Sequence, residues 1–283
     1  MADSLNNKKT VQESFDLSDR VAVITGGAGL LGRKHAEAVL ECGGTPVLID
    51  INTELSRTTA ETLSKEYGRP CIGLAIDITQ PDQVEAACQE LTGQFGRIDI
   101  LINNAANNPK MENHDGDGFT RLEQFPMELW NADLAVGLTG AFLCSRTFGA
   151  VMADAGKGVI LNISSDLGLI GPDQRLYRRD GIDEASQTVK PVTYSVVKSG
   201  LIGLTRYLAT YWADKGVRAN AITPGGVYTN QDDAFVQRLS NLIPMGRMAD
   251  QDEYKAAIAF LISDASSYMT GSVLTIDGGR TCW

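Results

Sequence analysis

The sequence predicts an α/β domain built on a doubly wound parallel sheet of about seven strands, preceded by a short N-terminal arm. Three observations lead there. Short apolar, β-branched runs recur along the 283 residues and alternate with helical stretches. The first run feeds straight into a glycine-rich turn that opens a helix. No composition break marks a second domain, and a hydrophobic share of 43% supports one substantial core.

Taken in order, residues 1–20 are polar, rich in Asn, Lys, Ser and Asp, and are expected to form a flexible arm before a domain spanning 21–283. Val21-Ala22-Val23-Ile24 reads as a fully buried strand. It runs into Thr25-Gly26-Gly27-Ala28-Gly29-Leu30-Leu31-Gly32 and then a helix to about Cys42. In that context the glycines allow a tight turn and close approach of backbone N–H groups to a pyrophosphate at the positive helix end. A second buried strand, Pro46 to Ile49, ends at Asp50, 18 residues beyond Gly32. The offset is close to the roughly 20 expected for an acid that binds adenosine ribose hydroxyls. An anion there repels a 2′-phosphate, which favours NAD over NADP. Arg33 and Lys34, cations near the turn, argue mildly the other way.

The alternation continues with a helix to Tyr67 and a strand Cys71 to Ile76 that ends at Asp77-Ile78. A helix Pro81 to Phe95 leads to the strand Ile98 to Ile102. Asn103-Asn104-Ala105-Ala106 follows at that strand's carboxyl end, where open α/β sheets place ligands. Repeated strand–helix units imply parallel strands with right-handed crossovers. A polar segment, Asn107 to Thr120, precedes a helix from Met127 to about Ala155. The strand Val159 to Ile163 delivers Ser164-Ser165, and a second long polar loop, Asp166 to Pro191, carries Arg175, Arg178, Arg179 and Lys190. An apolar helical run follows, from Val192 to Trp212. The strand Arg218 to Ile222 then reaches Thr223-Pro224-Gly225-Gly226, and helix Glu253 to Ser263 and strand Val273 to Ile276 close the chain before Asp277-Gly278-Gly279. Seven buried strands and six helices fit one doubly wound domain.

Within the last long helix, Tyr194 and Lys198 stand four apart and so share one face. A lysine beside a phenol favours the phenolate and lowers its pKa from about 10, towards a useful acid/base range. Composition removes several competing chemistries. A net charge of −10 and a pI near 4.7 argue against general nucleic-acid binding and anionic membrane surfaces. No apolar stretch is expected to span a membrane. Five scattered cysteines without a Cys-x-x-Cys pair suit reduced thiols in a cytoplasmic protein, and two histidines offer little to a zinc site or a histidine triad.

Together these segments resemble the short-chain dehydrogenase/reductase family, in order from residue 21 to the end of the chain. The matching pieces are Thr25–Gly32, Asp50, Asp77, Asn103–Ala106, Asn162–Ser165, Tyr194–Lys198, Pro224-Gly225 and Asp277-Gly278-Gly279. The resemblance implies a Rossmann-type fold and hydride exchange between nicotinamide and a carbinol or carbonyl carbon. It implies Tyr194 as the acid/base, Lys198 stabilising the phenolate and binding the nicotinamide ribose, and Ser165, rather than Ser164, holding the substrate oxygen. It assigns the pyrophosphate turn to Gly26, Gly29, Leu30, Leu31 and Gly32, and the adenine to Asp77 and Ile78. The adenosine ribose falls to Asp50 and the Asn104, Ala105, Ala106 stretch, and the carboxamide to Val227 and Thr229. Ile51, Pro224 and Gly225 complete the cofactor contacts, and no metal is implied. Similar proteins pair through the helix after the Asn-Asn turn and the Tyr–Lys helix, so a homodimer or homotetramer is expected.

More narrowly, Thr25–Gly32, Pro191–Tyr194 and Pro224–Gln231 look like the branch of flagellin-modification oxidoreductases linked to bacterial surface sugars. Three departures from the family stand out. Gly29 and Leu30 shift the glycine spacing towards that of sugar-nucleotide-modifying relatives. Gly137 stands where the family usually has an asparagine in its proton relay. Ser165 and Tyr194 are 29 residues apart, against about a dozen implied by the resemblance. The extra residues place Arg175, Arg178 and Arg179 where they could bind an acidic or phosphorylated sugar. The expected substrate is therefore a small polar alcohol or ketone, such as a sugar or sugar phosphate. A quiescent NAD-sensing regulator and an NAD-recycling epimerase or dehydratase are the rival readings.

Overall fold

The computed structural model describes residues 9–107, 120–179 and 181–283. The 108–119 part of the first polar segment lies outside these residues. Seven strands form one parallel sheet in the order β3-β2-β1-β4-β5-β6-β7. They are β1 (Val21–Thr25), β2 (Thr45–Asp50), β3 (Ile72–Ala75), β4 (Ile100–Asn103), β5 (Gly158–Ile163), β6 (Val217–Pro224) and β7 (Val273–Ile276). The helices are α1 (Val11–Ser14), α2 (Leu30–Glu41), α3 (Thr53–Tyr67), α4 (Pro81–Phe95), α5 (Met127–Leu134), α6 (Ala141–Asp154), α7 (Val192–Tyr211), α8 (Asp233–Ser240) and α9 (Lys255–Ile262).

Strand alternation builds both layers. In β1, Ala22 and Ile24 join one core with Ala36 and Val39 of α2 and Ile258 of α9. Val21 and Val23 join the other, with Val84 and Leu91 of α4, Phe148 of α6 and Leu208 of α7. The sheet winds outward in both directions from β1 and β4, so their carboxyl ends open a crevice between neighbouring connections. That crevice positions the site.

Five expectations are corrected. Residues 9–20 are not a loose arm: Thr10 and Glu13 form a capping box on α1, and Leu17 is fully buried with its N–H donating to the Cys42 carbonyl at 2.8 Å. The strands β3 and β7 are half-buried rather than buried, because they are the sheet edges. The helix read as continuous from Met127 to Ala155 contains a π-helical turn, Ala135–Gly140, between α5 and α6. This run is long and apolar enough to cross a membrane, contrary to expectation. Its apolar side chains are nevertheless used inward, with Cys144, Phe148 and Met152 fully buried against the sheet. Finally, α8 was not legible as a helix; Asp232 caps it by accepting from Phe235 N–H at 3.1 Å.

Candidate active site

A cleft of about 510 Å³ runs across the carboxyl ends of the strands. At one end, Gly26 adopts φ +59°, and a Cβ there would lie 2.9 Å from Ala105 Cα. Only glycine lets the turn and the β4 loop meet so closely. Gly29 precedes α2 without any side-chain cap, so the first N–H groups of α2 are left to whatever enters the cleft. Gly32 is spent on packing: a Cβ there would stand 2.2 Å from the Gly26 carbonyl oxygen.

The glycine turn is stitched to β4 by Asn104, whose side chain donates to the Thr25 and Gly26 carbonyls, each at 3.0 Å. Asp50 ends β2 on the cleft wall and accepts from Ala28 N–H at 3.3 Å and Asn52 N–H at 3.1 Å. Arg33 and Lys34 do not face it. Arg33 pairs with Glu37 and Glu66, and Lys34 pairs with Glu37 and Asp252.

Of the residues expected at the cofactor, Gly26, Gly29, Leu30, Leu31, Asp50, Asn104, Ala105, Ala106, Pro224, Gly225, Val227 and Thr229 line the cleft, with Tyr194 and Lys198. Gly32, Ile51, Asp77 and Ile78 lie off its walls. Ile51 is exposed beside Asp50, Asp77 accepts from Thr79, and Ile78 packs where a Cβ on Gly140 would be. The observed walls fit a dinucleotide: an uncapped helix start and glycine cradle at one end, a carboxylate beyond it, and a phenol and lysine at the other end.

At that other end Ser165, Tyr194 and Lys198 come together. Ser164 is committed elsewhere, donating to the Lys198 carbonyl at 2.7 Å and so tying β5 to α7. Below them a buried ladder runs across four elements. Asn103 donates to Ser145 at 3.0 Å and to Asn162 at 2.8 Å, and Asn162 donates to Thr205 at 2.8 Å. Buried amides paired in this way lock β4, β5, α6 and α7 in register beneath the site.

Lys198 is buried, and its Nζ donates to the Ile163 carbonyl at 2.8 Å while lying 5.8 Å from the Tyr194 ring centroid. Burial pushes its pKa down to about 8, and repulsion from Lys190 adds to the shift. The Tyr194 phenol is raised rather than lowered, because burial disfavours the phenolate more than the Ser165 hydroxyl favours it. The expectation that lysine depresses the phenol therefore fails in this state: the ammonium is turned to a carbonyl.

Two charged cleft residues escaped sequence reading. Asp166 and Arg280 form a buried ion pair at 2.7 Å. Ser165 Oγ donates to the other oxygen of Asp166 at 2.7 Å. Gly278 and Gly279, at φ +66° and +90°, turn the chain so that Arg280 reaches back to Asp166. Adjacency of Asp166 to Ser165 was the only local signal; nothing local marks Arg280.

The arginines of the long loop do not form the expected anion site. Arg175 pairs with Asp173 at 2.6 Å, Arg178 with Glu184 at 3.0 Å, and Arg179 is held through its N–H by Gln187. None of the three lines the cleft. The loop instead contributes Leu176 and Tyr177, which pack with Phe235, Leu239 and Met248 as an apolar roof. Arg238 of α8 donates to the Leu176 carbonyl at 3.1 Å and fastens it.

Beside Gly137, a small cavity of about 20 Å³ is lined by Asp133, Lys190, Tyr194 and Lys198. A Cβ on Gly137 would stand 2.5 Å from Val197 Cγ1, so Val197 occupies the space an asparagine would need. The described residues contain no cluster of three or more His, Cys, Asp or Glu side chains placed to hold a metal.

Comparison with known proteins matches residues 20–177 to the short chain dehydrogenase model and 182–281 to the model described as enoyl-(acyl carrier protein) reductase. A D-threitol dehydrogenase of Mycolicibacterium smegmatis is 34% identical over 280 residues, 96% of each chain. An NAD-dependent glycerol dehydrogenase of Listeria innocua is 30% identical, covering 96% of this chain and 98% of that one. A crystal structure of gluconate 5-dehydrogenase from Burkholderia cenocepacia, in complex with NADP and tartrate, superposes with a TM-score of 0.84. It is 29% identical, over 97% of this chain and 100% of that one.

Proposed function

The chain belongs to the short-chain dehydrogenase family, and from that premise we propose that it is an NAD-dependent oxidoreductase interconverting a secondary alcohol and a ketone on a small polar, sugar-derived substrate. The carrying observation is the meeting of Ser165, Tyr194 and Lys198 at one end of a cleft whose other end is the glycine turn and Asp50.

NAD when bound supplies hydride exchange with the carbinol carbon. The residues supply position and protons. Burial keeps Tyr194 as a phenol, the form that donates to a carbonyl oxygen in the reducing direction. In the oxidising direction Tyr194 must lose its proton, and Lys198, with its pKa near 8, is the ammonium that stabilises the phenolate once its Nζ leaves the Ile163 carbonyl. The Ser165 hydroxyl chooses between Asp166 and the substrate oxygen; Arg280 weakens the competing hold by sharing the Asp166 charge.

The carboxylate of Asp50, with Arg33 and Lys34 tied up in ion pairs, supports NAD over NADP. Relatives named for threitol, glycerol and gluconate support a polar substrate, and the wall of Ser165, Lys190, Thr229, Gln231 and Arg280 suits one. These names do not extend to surface-sugar pathways, so the substrate class is kept and the pathway is not. Exposed Phe142, Val196, Tyr207 and Tyr211 on α6 and α7 support self-association, which sedimentation at assay concentration tests.

Tyr194→Phe should lower turnover by about two to four orders of magnitude, the usual share of a positioned acid/base. NADH affinity, read by fluorescence titration, should remain near that of the unaltered protein. Retained turnover would remove Tyr194 as the acid/base.

A further inference from the structure

Two cations of the cleft have no carboxylate partner among the described residues: Lys198, which donates to a backbone carbonyl, and Lys190. Lys190 ends the long loop just before α7, and its N–H donates to Gln174 Oε1 at 2.8 Å, so the loop's own helical turn holds it in place. Its ammonium lies 3.9 Å from the Tyr194 ring centroid, and its side chain lines both the cleft and the small cavity beside Gly137. Among the described residues no carboxylate lies within ion-pair distance of it.

The nearby groups are already engaged. Arg280 holds Asp166, and Asp166 also accepts from Ser165 and Leu167. Asp133, across the small cavity, accepts from Thr193. Lys198 donates to Ile163. Three cationic side chains, Lys190, Lys198 and Arg280, thus share the Tyr194 end of the cleft with two carboxylates, Asp166 and Asp133, that are both already engaged. Burial without a partner lowers Lys190 to about 8, with Asp166 opposing the shift, which still leaves it charged at neutral pH. A half-buried ammonium lining the cleft in this position is a receptor for an anion that brings its own charge.

Resting on the dehydrogenase reading above, we propose that Lys190 is a specificity-determining residue that binds a carboxylate of the substrate beside the reacting carbinol. The preferred substrates are then polyhydroxy acids rather than the corresponding neutral polyols. The uncapped start of α2 lies at the other end of the cleft and Arg280 is taken by Asp166, so Lys190 has neither a helix start nor an unpaired arginine beside it to complete a phosphate site, and a carboxylate is the anion it fits.

The test uses two matched pairs, D-tartrate with D-threitol and D-gluconate with D-glucitol, titrated calorimetrically into the NADH-bound protein. The acids are expected to bind at least about tenfold more tightly than the alcohols. Lys190→Met and Lys190→Gln should each cut the acid-to-alcohol affinity ratio by at least about tenfold, and Lys190→Arg should restore most of it. In steady-state oxidation the loss should appear in KM for the acid rather than in kcat. NADH titration of each variant reports whether the fold and cofactor site survive. Equal binding of acid and alcohol, an unchanged ratio in both neutral variants, or no binding of either acid overturns the assignment. If neutral polyols are still oxidised in that event, the dehydrogenase reading stands; absence of NADH binding or of any hydride transfer would remove that reading instead.

Discussion

Replacing Arg280 by methionine removes a guanidinium and keeps much of its apolar stem. Asp166 is then left buried, with Ser165 and Leu167 on one oxygen and no partner on the other. Both partners are almost wholly enclosed, at 7% and 4% side-chain exposure, so water from the cleft can replace the lost contact only in part. Breaking a buried pair from one side costs about 3–5 kcal/mol. An unfolding entropy of about 2.1 cal/mol/K per residue over the whole chain converts that to a fall in Tm of roughly 5–8 °C. Differential scanning calorimetry of Arg280→Met, Asp166→Asn and the double variant, without cofactor, measures it. Each single variant should fall by a similar amount. The double variant should recover most of the loss, because no uncompensated charge remains buried. An Arg280→Met protein melting within about 1 °C of the original would refute the reasoning. So would a double variant less stable than both singles.

Gly137→Asn should cost about 1–3 kcal/mol by overpacking against Val197, and Gly137→Asn with Val197→Ala should recover part of it; urea midpoints compare them. Asp50→Ala should raise the NADPH-to-NADH affinity ratio by at least about tenfold, since a repelling anion is lost; fluorescence titration reads it, and an unchanged ratio would take Asp50 out of cofactor choice. His35 is buried, and burial lowers it to about 4, with Asn104 opposing. The unfolded chain therefore binds the extra proton between about pH 6.5 and 4, and stability should fall by up to about 3 kcal/mol as pH drops through that window. His35→Leu should flatten this limb in denaturant titrations at pH 7, 5.5 and 4; an unaltered slope assigns the acid sensitivity to other groups.

The sequence by itself determined the strand–turn–helix start, the parallel alternation, and the pairing of Tyr194 with Lys198 on one helical face. These are local properties. Strand period, helix period and glycine turns depend on residues within a few positions of one another, so they can be read along the chain. The π-helical turn at Ala135–Gly140 was not legible; it lies where Val197 and Ile78, both remote in sequence, press closely on Gly137 and Gly140. Charge pairing was decided only by the tertiary structure. Arg175 and Arg178 looked like substrate ligands until short loop turns gave them Asp173 and Glu184. Arg280 meets Asp166 from 114 residues away because β6 and β7 complete the sheet beside β5 and bring the C-terminal turn back over the cleft. The same crossovers leave Lys190 against Tyr194 with its charge unanswered. Which ions neutralise one another depends on distances between segments remote in sequence, and only the closed fold sets those distances.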